Sequence, residues 1–376
     1  MGKSDPHLDR WPSSDAAKGF KAVSDAVHEL GLKFGIQVVA GIHKLAVDRN
    51  KQILDTKTGG AYQENGRVLH ANDILTGTAC SYSPNFLVVD STSNGGKAFL
   101  RSVYEQCASW GVDFVKLDCV FGDHLNMGEI RTVSEILQGL NRKIIFSVSP
   151  GVAATPEMGR QASEMVNMYR VTPNNWDQWQ ILVNHFEVAR NFAQSRLLGT
   201  AGLNGNAWPD LDILPFGWLT DPDSTEGPHR KSKLTMTEQE TEMTLWSMAK
   251  SPLMFGGDMK KLDFKTQQLL SNPTLLEINS YSVGNKEIPN SFGPGIRTWL
   301  ARGRKGEIYV AIFNLNEKVA NTKMDISYIR EMLPVKGNFS TCTGSDLWSP
   351  VNEVANGTLL ANVEAHACAL FTLTCQ

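Results

Sequence analysis

The 376-residue sequence has no long apolar run. No stretch approaches the roughly 20 consecutive apolar residues that a membrane-spanning helix needs. There is also no excess of basic charge, since the net charge is −3 and the pI is near 6.3, which argues against a surface for nucleic acid or anionic membrane. Residues 1–7 are polar and lack the apolar core of a signal peptide. These absences predict a protein with no nucleic-acid partner and no membrane partner.

Close cysteine pairs are absent as well, so no spacing matches a zinc site. The six cysteines are Cys80, Cys107, Cys119, Cys342, Cys368 and Cys375. Three of them lie near the end of the chain, which favours a disulfide in a small carboxyl-terminal β domain. Two Asn-X-Ser/Thr sites, at Asn338 and Asn356, fall in the same region. Together these features favour a secretory history over the cytosolic location that residues 1–7 alone predict.

From about residue 31, short β-branched runs alternate with amphipathic helical patterns. The predicted strands are 32–39, 114–120, 143–149, 168–172 and 251–256, with a weaker one at 208–214. This alternation predicts a parallel sheet with helices packed outside it. About six strand-helix units are visible, fewer than the eight of a closed barrel, so an open doubly wound sheet is an alternative at this point.

The pattern changes beyond residue 280. Residues 296–301, 307–314 and 367–373 read as strands without long helices between them, and a short helix is predicted at 326–332. Consecutive strands of this kind pair antiparallel and favour a β-sandwich. The sequence therefore predicts two domains, 1–283 and 284–376.

Lys116 and Asp118 end the short apolar strand at 114–120. Because side chains two residues apart on a strand point to one face, the lysine and the carboxylate are expected side by side. A buried unpaired charge is costly, so Asp118 is either half of a structural ion pair or part of a site. Asp118 is the first candidate for a reactive group.

Polar and aromatic residues follow the other predicted strands, where the carboxyl ends of parallel strands would share one rim. They include His43, Ser149, Arg170, Asn174, Asn175, Trp176, Asp177, Trp208, Asp210, Asp212 and Asp258. A rim rich in Asp, Arg, Asn and Trp suits a sugar. Alternatives are a metal site of Asp118, Asp123 and His124, a bracing role for Asp210 and Asp212, and a packing role for Trp176 and Trp179.

Four motifs resemble successive strands of the α-galactosidase (melibiase) family, glycoside hydrolase family 27. They are VKLDC at 115–119, YRVTPNNWD at 169–177, WPDLDIL at 208–214 and SPLM at 251–254. Segments GLKFGI at 31–36 and NPTLLE at 272–277 are most similar to the plant branch of the family, which includes α-galactosidases and β-L-arabinopyranosidases. The resemblance extends over nearly the whole chain.

The resemblance implies a (β/α)8 barrel followed by an antiparallel β-sandwich, and hydrolysis with retention of configuration. Asp118 matches the nucleophile of the family. Lys116 and Arg170 match substrate-holding residues, Asp212 matches a carboxylate that binds a sugar hydroxyl, and Trp208 begins the same motif. No cofactor and no metal are expected. The expected partner is a carbohydrate with a terminal galactose or L-arabinopyranose, and the expected location is extracellular, in the cell wall.

The sequence departs from the family pattern in four places. The general acid/base aspartate of the family falls at Asn174, which cannot transfer protons, and Asp177 is a poor substitute because a helix is expected to begin there. The strand at 32–39 matches the third barrel strand, so the first two are expected to be missing. Ser149 stands where a glutamate reads the sugar 2-hydroxyl. The family's barrel disulfide would pair Cys80 with Cys119, at an unusual spacing.

Two functions are therefore expected from the sequence. The first is a retaining glycosidase that removes α-D-galactosyl or β-L-arabinopyranosyl residues. The second is a sugar-binding remnant of the same family with impaired catalysis, which Asn174 and the missing strands would explain.

Overall fold

The computed structural model describes residues 6–15, 18–77, 83–219, 229–289, 292–333 and 341–376. The chain divides into two compact units. The first comprises Met1–Val171 and Gly199–Ala207, and the second Thr172–Leu198 and Trp208–Gln376. In the described ranges, no helix has the length and apolar character needed to cross a membrane. The domain boundary at residue 283 stays a prediction.

The first unit is built around a mainly parallel sheet. Its strands are β1 Gly35–Val39, β2 Ile42–His43, β3 Gln63–Glu64, β4 Arg67–Val68, β5 Phe86–Leu87, β6 Phe114–Phe121, β7 Ile145–Pro150, β8 Met168–Arg170, β9 Thr200–Gly202 and the first half of β10 Gly205–Asp210. Its helices are α1 Lys21–Glu29, α2 Lys44–Asp48, α3 Asn94–Ser109, α4 Met127–Gln138 and α5 Pro156–Ser163.

The sheet order among these strands is β1-β6-β7-β8-β10-β9. β1, β6, β7 and β8 pair in parallel, which confirms the predicted parallel arrangement, whereas β9 and β10 form an antiparallel hairpin. β1 lies at one end of this order, and its residues are exposed or half-buried. The helix α3 is capped at its start by Ser93, whose side chain accepts from the N–H of Gly96.

Strand β6 shows the alternation that the sequence predicts. Val115 and Leu117 are buried, while Lys116 and Asp118 are half-buried on the other face. The strand becomes irregular after Leu117, because Cys119 adopts a φ of 66°, and regular pairing with β7 resumes only at Phe121. The irregularity follows Asp118 directly, and Asp118 is the last residue of β6 that pairs with β1.

The second unit contains helices and mostly antiparallel strands. Its helices are α6 Trp179–Gln194, α7 Met236–Met248, α8 Phe264–Leu270, α9 Pro273–Tyr281 and α10 Ile326–Met332. Its strands are the end of β10, then β11 Ile213–Leu214, β12 Trp218–Leu219, β13 Arg230–Lys231, β14 Met254–Phe255, β15 Val283–Ile288, β16 Ile296–Arg302, β17 Ile308–Asn314, β18 Ala320–Asp325, β19 Cys342–Asp346, β20 Glu353–Ala355, β21 Thr358–Val363 and β22 Cys368–Cys375.

The last strands form a β-sandwich, as predicted. One sheet has the order β15-β16-β17-β22-β19 and the other β18-β21-β20, with neighbours antiparallel. Val310, Ile312 and Phe371 are buried in the core between them. Cys342 and Cys375 face each other in the β19–β22 register and form the disulfide that the clustering of cysteines predicted. Asn356 and Gly357, both at positive φ, make the two-residue turn between β20 and β21, whereas Asn338 lies outside the described residues.

Two predicted strands differ from the structure. The strand expected at 208–214 is divided into β10 and β11, because Asp212 has a φ of 82° and breaks the extended chain. The strand expected at 251–256 shortens to β14, which pairs in parallel with β11. Asp212, one of the predicted site residues, lies at the first of these interruptions.

Candidate active site

Asp118 is held in the first unit by three hydrogen bonds. Its Oδ1 accepts from Ser149 Oγ at 2.8 Å and from the backbone N–H of Cys119 at 3.0 Å. Its Oδ2 accepts from Gln37 Nε2 at 2.9 Å. All three donors are neutral. The carboxylate is half-buried and fixed in direction, as a group that must attack a substrate needs to be.

Three parallel strands bring these groups together. Val39 of β1 faces Asp118 of β6 in the register, so Gln37 lies two residues earlier on the neighbouring strand. Ser149 lies near the end of β7, just before a cis peptide bond to Pro150. Gln37 was not among the sequence candidates, although a polar residue inside the apolar run of β1 is a signal that a reader could use.

Cys119 is disulfide-bonded. The partner implied by the family resemblance, Cys80, lies outside the described residues. Because Cys119 follows Asp118 directly and has a left-handed φ of 66°, the backbone next to the carboxylate is in a conformation that few residues adopt.

Lys116 and Arg170 occupy neighbouring strands of the same sheet. Lys116 is half-buried and pairs in register with Gln37 and Ser147. Arg170 ends β8 and is buried. The chain approaches it closely, since a Cβ on Gly151 would lie 2.3 Å from the carbonyl oxygen of Arg170. Lys116, Asp118 and Arg170, which the sequence predicts as site residues, therefore belong to one sheet.

A buried glutamate braces the loop that follows β1. Ala40 donates its N–H to the carbonyl of Asp118 at 3.0 Å, and the next residue, Gly41, donates to Glu129 Oε1 at 3.3 Å. Burial raises the pKa of Glu129 to about 7, against a smaller lowering by the Gly41 N–H. Glu129 therefore changes charge near neutral pH. It contacts Gly41, two residues after Val39, the residue that pairs with Asp118.

Asp212 is the corresponding fixed carboxylate of the second unit. It is 5% exposed, and its Oδ2 accepts from the backbone N–H of Asn175 at 2.8 Å. Its own N–H donates to Asp210 Oδ1 at 2.8 Å, and its carbonyl accepts from Trp246 Nε1 at 3.0 Å. Asp210 therefore braces the turn, which agrees with the predicted alternative of a bracing role. The side chain of Asp212 is oriented by Asn175 in the loop at 172–178.

That loop also carries Asn174 and Asp177. Asn174 is exposed, whereas Asp177 is buried two residues before α6 begins. Asp177 forms an ion pair with Arg230, and its Oδ2 accepts from the Lys233 N–H at 2.6 Å. Burial acts to raise the pKa of Asp177, but the Arg230 and Lys233 hydrogen bonds outweigh it and hold that pKa below its ordinary value. Asp177 is therefore a structural carboxylate.

Trp208 is half-buried near the end of β10. The ammonium group of Lys250 lies 5.4 Å from the centre of its ring, and it also donates to the carbonyl of Ser282 at 2.8 Å. Burial lowers the pKa of Lys250 to about 8. The predicted sugar-binding tryptophan therefore has a cation over its ring.

The alternative of a metal site has no support in the described ranges. No group of three or more His, Cys, Asp and Glu side chains in them could hold a metal ion. His124 lies 4.0 Å from Asp123, its neighbour in the chain, and the bonds of Asp118 described above go to other residues.

Comparisons with known proteins extend this picture. The sequence profile described as Alpha galactosidase A matches residues 95–281, and the profile described as Alpha galactosidase C-terminal beta sandwich domain matches residues 293–373. An α-galactosidase of Oryza sativa subsp. japonica is 24% identical over 100% of this chain and 72% of its own length. Alpha-galactosidase 3 of Arabidopsis thaliana is also 24% identical, over 100% of this chain and 70% of its own.

Solved structures give the same result. A family 27 β-L-arabinopyranosidase of Geobacillus stearothermophilus is 30% identical with a TM-score of 0.84, covering 99% of this chain and 80% of its own. A variant of that enzyme, solved in complex with arabinose, is 29% identical with a TM-score of 0.83, over 99% and 81%. The parallel sheet, the β-sandwich and these similarities define a glycosidase. The chain belongs to glycoside hydrolase family 27.

Proposed function

We propose that this protein is a retaining glycosidase in which Asp118 is the nucleophile. It would remove terminal α-D-galactosyl or β-L-arabinopyranosyl residues from oligosaccharides, polysaccharides or glycoconjugates. The observation that carries the proposal is the carboxylate of Asp118, half-buried at the end of regular β6 pairing and oriented by Gln37, Ser149 and the Cys119 N–H. By the family resemblance, Lys116, Arg170, Trp208 and Asp212 bind the substrate.

The reaction needs a second proton-transferring group, and Asn174 does not supply one. In a retaining glycosidase, one carboxyl attacks the anomeric carbon while the other protonates the leaving oxygen and later activates water. With Asn174 in that position, we expect the first step to depend on a leaving group that needs no proton. The second step is expected to be slow, because Asn174 cannot deprotonate the attacking water.

The two proposed sugars have the same arrangement of ring hydroxyls. D-galactose and L-arabinopyranose share the arrangement of ring hydroxyls and differ at the exocyclic CH2OH. The relatives include α-galactosidases and a β-L-arabinopyranosidase, and arabinose is bound in one related structure. By the family resemblance, Ser149 takes the place of a glutamate that contacts the sugar 2-hydroxyl, and its side chain donates a hydrogen bond to Asp118 instead. This difference from the family leaves the choice of sugar open, so activity on the two sugars must be compared directly.

Covalent trapping tests the assignment of Asp118. A dinitrophenyl 2-deoxy-2-fluoro glycoside of either sugar should form a stable glycosyl-enzyme, which peptide mass spectrometry should place on Asp118. An intact protein that gains no sugar mass with either reagent would overturn the proposal. The non-fluorinated dinitrophenyl glycosides should give a burst of dinitrophenol followed by slow turnover, because formation of the intermediate needs no acid and its hydrolysis needs a base.

The second candidate function is binding without turnover, which the exposed Asn174 favours. Azide distinguishes the two functions. In an active enzyme without its acid/base, azide attacks the anomeric carbon of the intermediate, the bond to Asp118 breaks, and a glycosyl azide with the anomeric configuration of the substrate is released. A binding protein would produce no glycosyl azide, although isothermal titration with galactose or arabinose would still show heat of binding.

A (β/α)8-type barrel as the catalytic domain, and an extracellular location in the cell wall, are both part of this proposal. The family resemblance and the disulfides support the extracellular location, because such bonds persist mainly in oxidising compartments.

A further inference from the structure

A buried glutamate lies behind the carboxylate of Asp212. Glu242 is in the middle of α7 and has no exposed surface. Its Oε1 accepts a hydrogen bond of 2.6 Å from Asn175 Nδ2. An ionised carboxylate in such a place is costly unless a cation or several donors compensate it. None of the ion pairs recorded for the described residues includes Glu242.

Asn175 connects this glutamate with Asp212. The side chain of Asn175 is buried, and besides Glu242 its Nδ2 donates to the carbonyl of Ile213 at 2.9 Å. Its backbone N–H donates to Asp212 Oδ2 at 2.8 Å. The contacts therefore form a chain from Glu242 through Asn175 to the carboxylate that is proposed to bind a sugar hydroxyl.

Two atoms of the Glu242–Asn175 pair have no hydrogen-bond partner among the described residues. They are Glu242 Oε2 and Asn175 Oδ1. If Glu242 were ionised, both atoms would be acceptors and both would remain unsatisfied. A protonated carboxyl and a primary amide are complementary, since each offers one donor and one acceptor to the other. The arrangement fits a neutral Glu242, because protonation turns one of these two buried acceptors into a donor.

The charged groups around Glu242 also favour its neutral form. Burial raises the pKa of Glu242 well above its ordinary value of 4.5, and the carboxylates of Asp212 and Asp177 raise it further, against the lowering by Asn175. Titratable groups on the elements packed against α7 contact residues other than Glu242. They are His185 of α6 with the Ile181 carbonyl, Arg190 of α6 with Glu187, Lys265 of α8 with Glu240, Glu277 of α9 with Arg304, Arg297 of β16 with Glu287, Tyr309 of β17 with Glu307, and Cys368 of β22 with Thr244.

We propose that Glu242 is a positioning residue that works as a neutral acid and, through Asn175, fixes the carboxylate of Asp212 for hydrogen bonding to a sugar hydroxyl. The inference rests on the proposed function, because Asp212 is assigned to the sugar only by the family resemblance. Sugar binding then depends on the protonation of a residue that does not touch the sugar.

The proposal predicts that the affinity for sugar falls at alkaline pH. While Glu242 is protonated, Asn175 is held on both sides and Asp212 keeps its direction. As the pH rises through the raised pKa of Glu242, a negative charge appears on Glu242 and repels that of Asp212, and two buried acceptors of the Glu242–Asn175 pair are left without a donor. We expect affinity to fall over that pH range.

Three variants test this in the full-length protein. E242Q keeps the shape and one donor but cannot ionise. E242L keeps the volume and removes every hydrogen bond. E240Q is the matched control, since Glu240 lies two residues away on α7, also has a pKa raised by burial, and interacts with Lys265 instead of Asn175. Affinity for D-galactose and L-arabinose is measured by isothermal titration from acidic to alkaline pH.

The unmodified protein and E240Q should lose affinity at alkaline pH, and E242Q should not. At acidic pH, E242L should bind about tenfold more weakly than E242Q, because the buried pair with Asn175 is lost. Equal affinities of E242Q and E242L, or an alkaline limit that persists in E242Q, would overturn the inference.

A stability measurement separates this inference from the proposed function. An acid whose pKa is raised in the folded state contributes stability that is fully present below 4.5 and is lost as the pH rises through the folded-state pKa. The unfolding free energy of the unmodified protein should therefore fall with rising pH relative to that of E242Q. If no sugar binds but this difference is seen, the proposed function fails and the neutral acid stands. If sugar binds and the difference is absent, the neutral acid fails.

Discussion

Asp118 and Asp177 are two aspartates in different surroundings. Asp118 is half-buried and accepts hydrogen bonds from the neutral groups of Gln37, Ser149 and the Cys119 backbone. Asp177 is fully buried and bound by Arg230 and the N–H of Lys233. A guanidinium that neutralises a carboxylate stabilises the fold and lowers the basicity of that carboxylate, whereas neutral donors orient it and leave its charge for chemistry. The comparison supports Asp118 as the proposed nucleophile and favours a structural role for Asp177 over replacement of the acid missing at Asn174.

The largest expected effect is the loss of Asp118 itself. Asp118→Asn should lower the release of dinitrophenol by about 10⁴-fold or more, because an amide is a very poor nucleophile. Asp123→Asn is the matched control, since Asp123 lies in the loop directly after β6. Stopped-flow absorbance measures the burst in both variants. A burst that survives in Asp118→Asn would move the nucleophile to another residue.

The next effect concerns the missing proton donor. Asn174→Asp should raise kcat/KM for methyl glycosides, which have poor leaving groups, by about 10²- to 10⁴-fold, as general acid/base catalysis does elsewhere. The gain in the burst from dinitrophenyl glycosides should be small, because that leaving group needs no proton. Azide should then stop accelerating turnover. If neither substrate gains, binding without turnover becomes the better description of the protein.

Removal of the Asp177 charge should act mainly on the stability of the fold. Asp177→Asn should lower the unfolding free energy by about 3 kcal/mol, the low end for a broken buried ion pair, because Arg230 keeps part of its surface in water. The folded-state pKa of Asp177 is lowered, so its stabilisation is present above its ordinary value of 3.8 and is lost as the pH falls through the folded-state pKa. Denaturation curves should show the two proteins converging in acid. A constant difference there would contradict the ion-pair explanation.

The smallest effect tests the neutral donors around Asp118. Ser149→Ala removes one hydrogen bond of about 1 kcal/mol and should slow formation of the glycosyl-enzyme about fivefold. Ser147→Ala serves for comparison, because its buried hydroxyl has no partner among the described residues. Equal rates for the two variants would show that Ser149 does not orient Asp118.

Much of the sheet could be predicted from the sequence, because its strands are apolar runs with one polar face. Lys116 and Asp118 do share a face of β6, and the predicted helix at 326–332 is present as α10. Periodicity could not show the break at Asp212, since a non-glycine residue at a φ of 82° leaves no trace in the hydrophobic pattern. The split of β10 and β11 depends on bonds to Asn175 and Trp246, which are distant in sequence.

Glu242 shows a second limit of sequence reasoning. Helix α7 carries Glu238, Glu240 and Glu242 in a short span, a composition typical of a solvated face. In the structure, Glu238 and Glu242 are buried. Only the contact with Asn175 explains the second of them, and the two residues are 67 positions apart. A buried acid with a distant neutral partner cannot be distinguished from a surface carboxylate by local pattern alone.

The cystine at position 119 has a practical consequence for preparing the protein. The peptide group that donates to Asp118 belongs to Cys119, which a disulfide holds, so reduction would free the backbone next to Asp118 without altering the side chains that are proposed to bind sugar. Protein made in a reducing host and protein made in an oxidising one should be treated as separate samples, and a thiol count should accompany every rate.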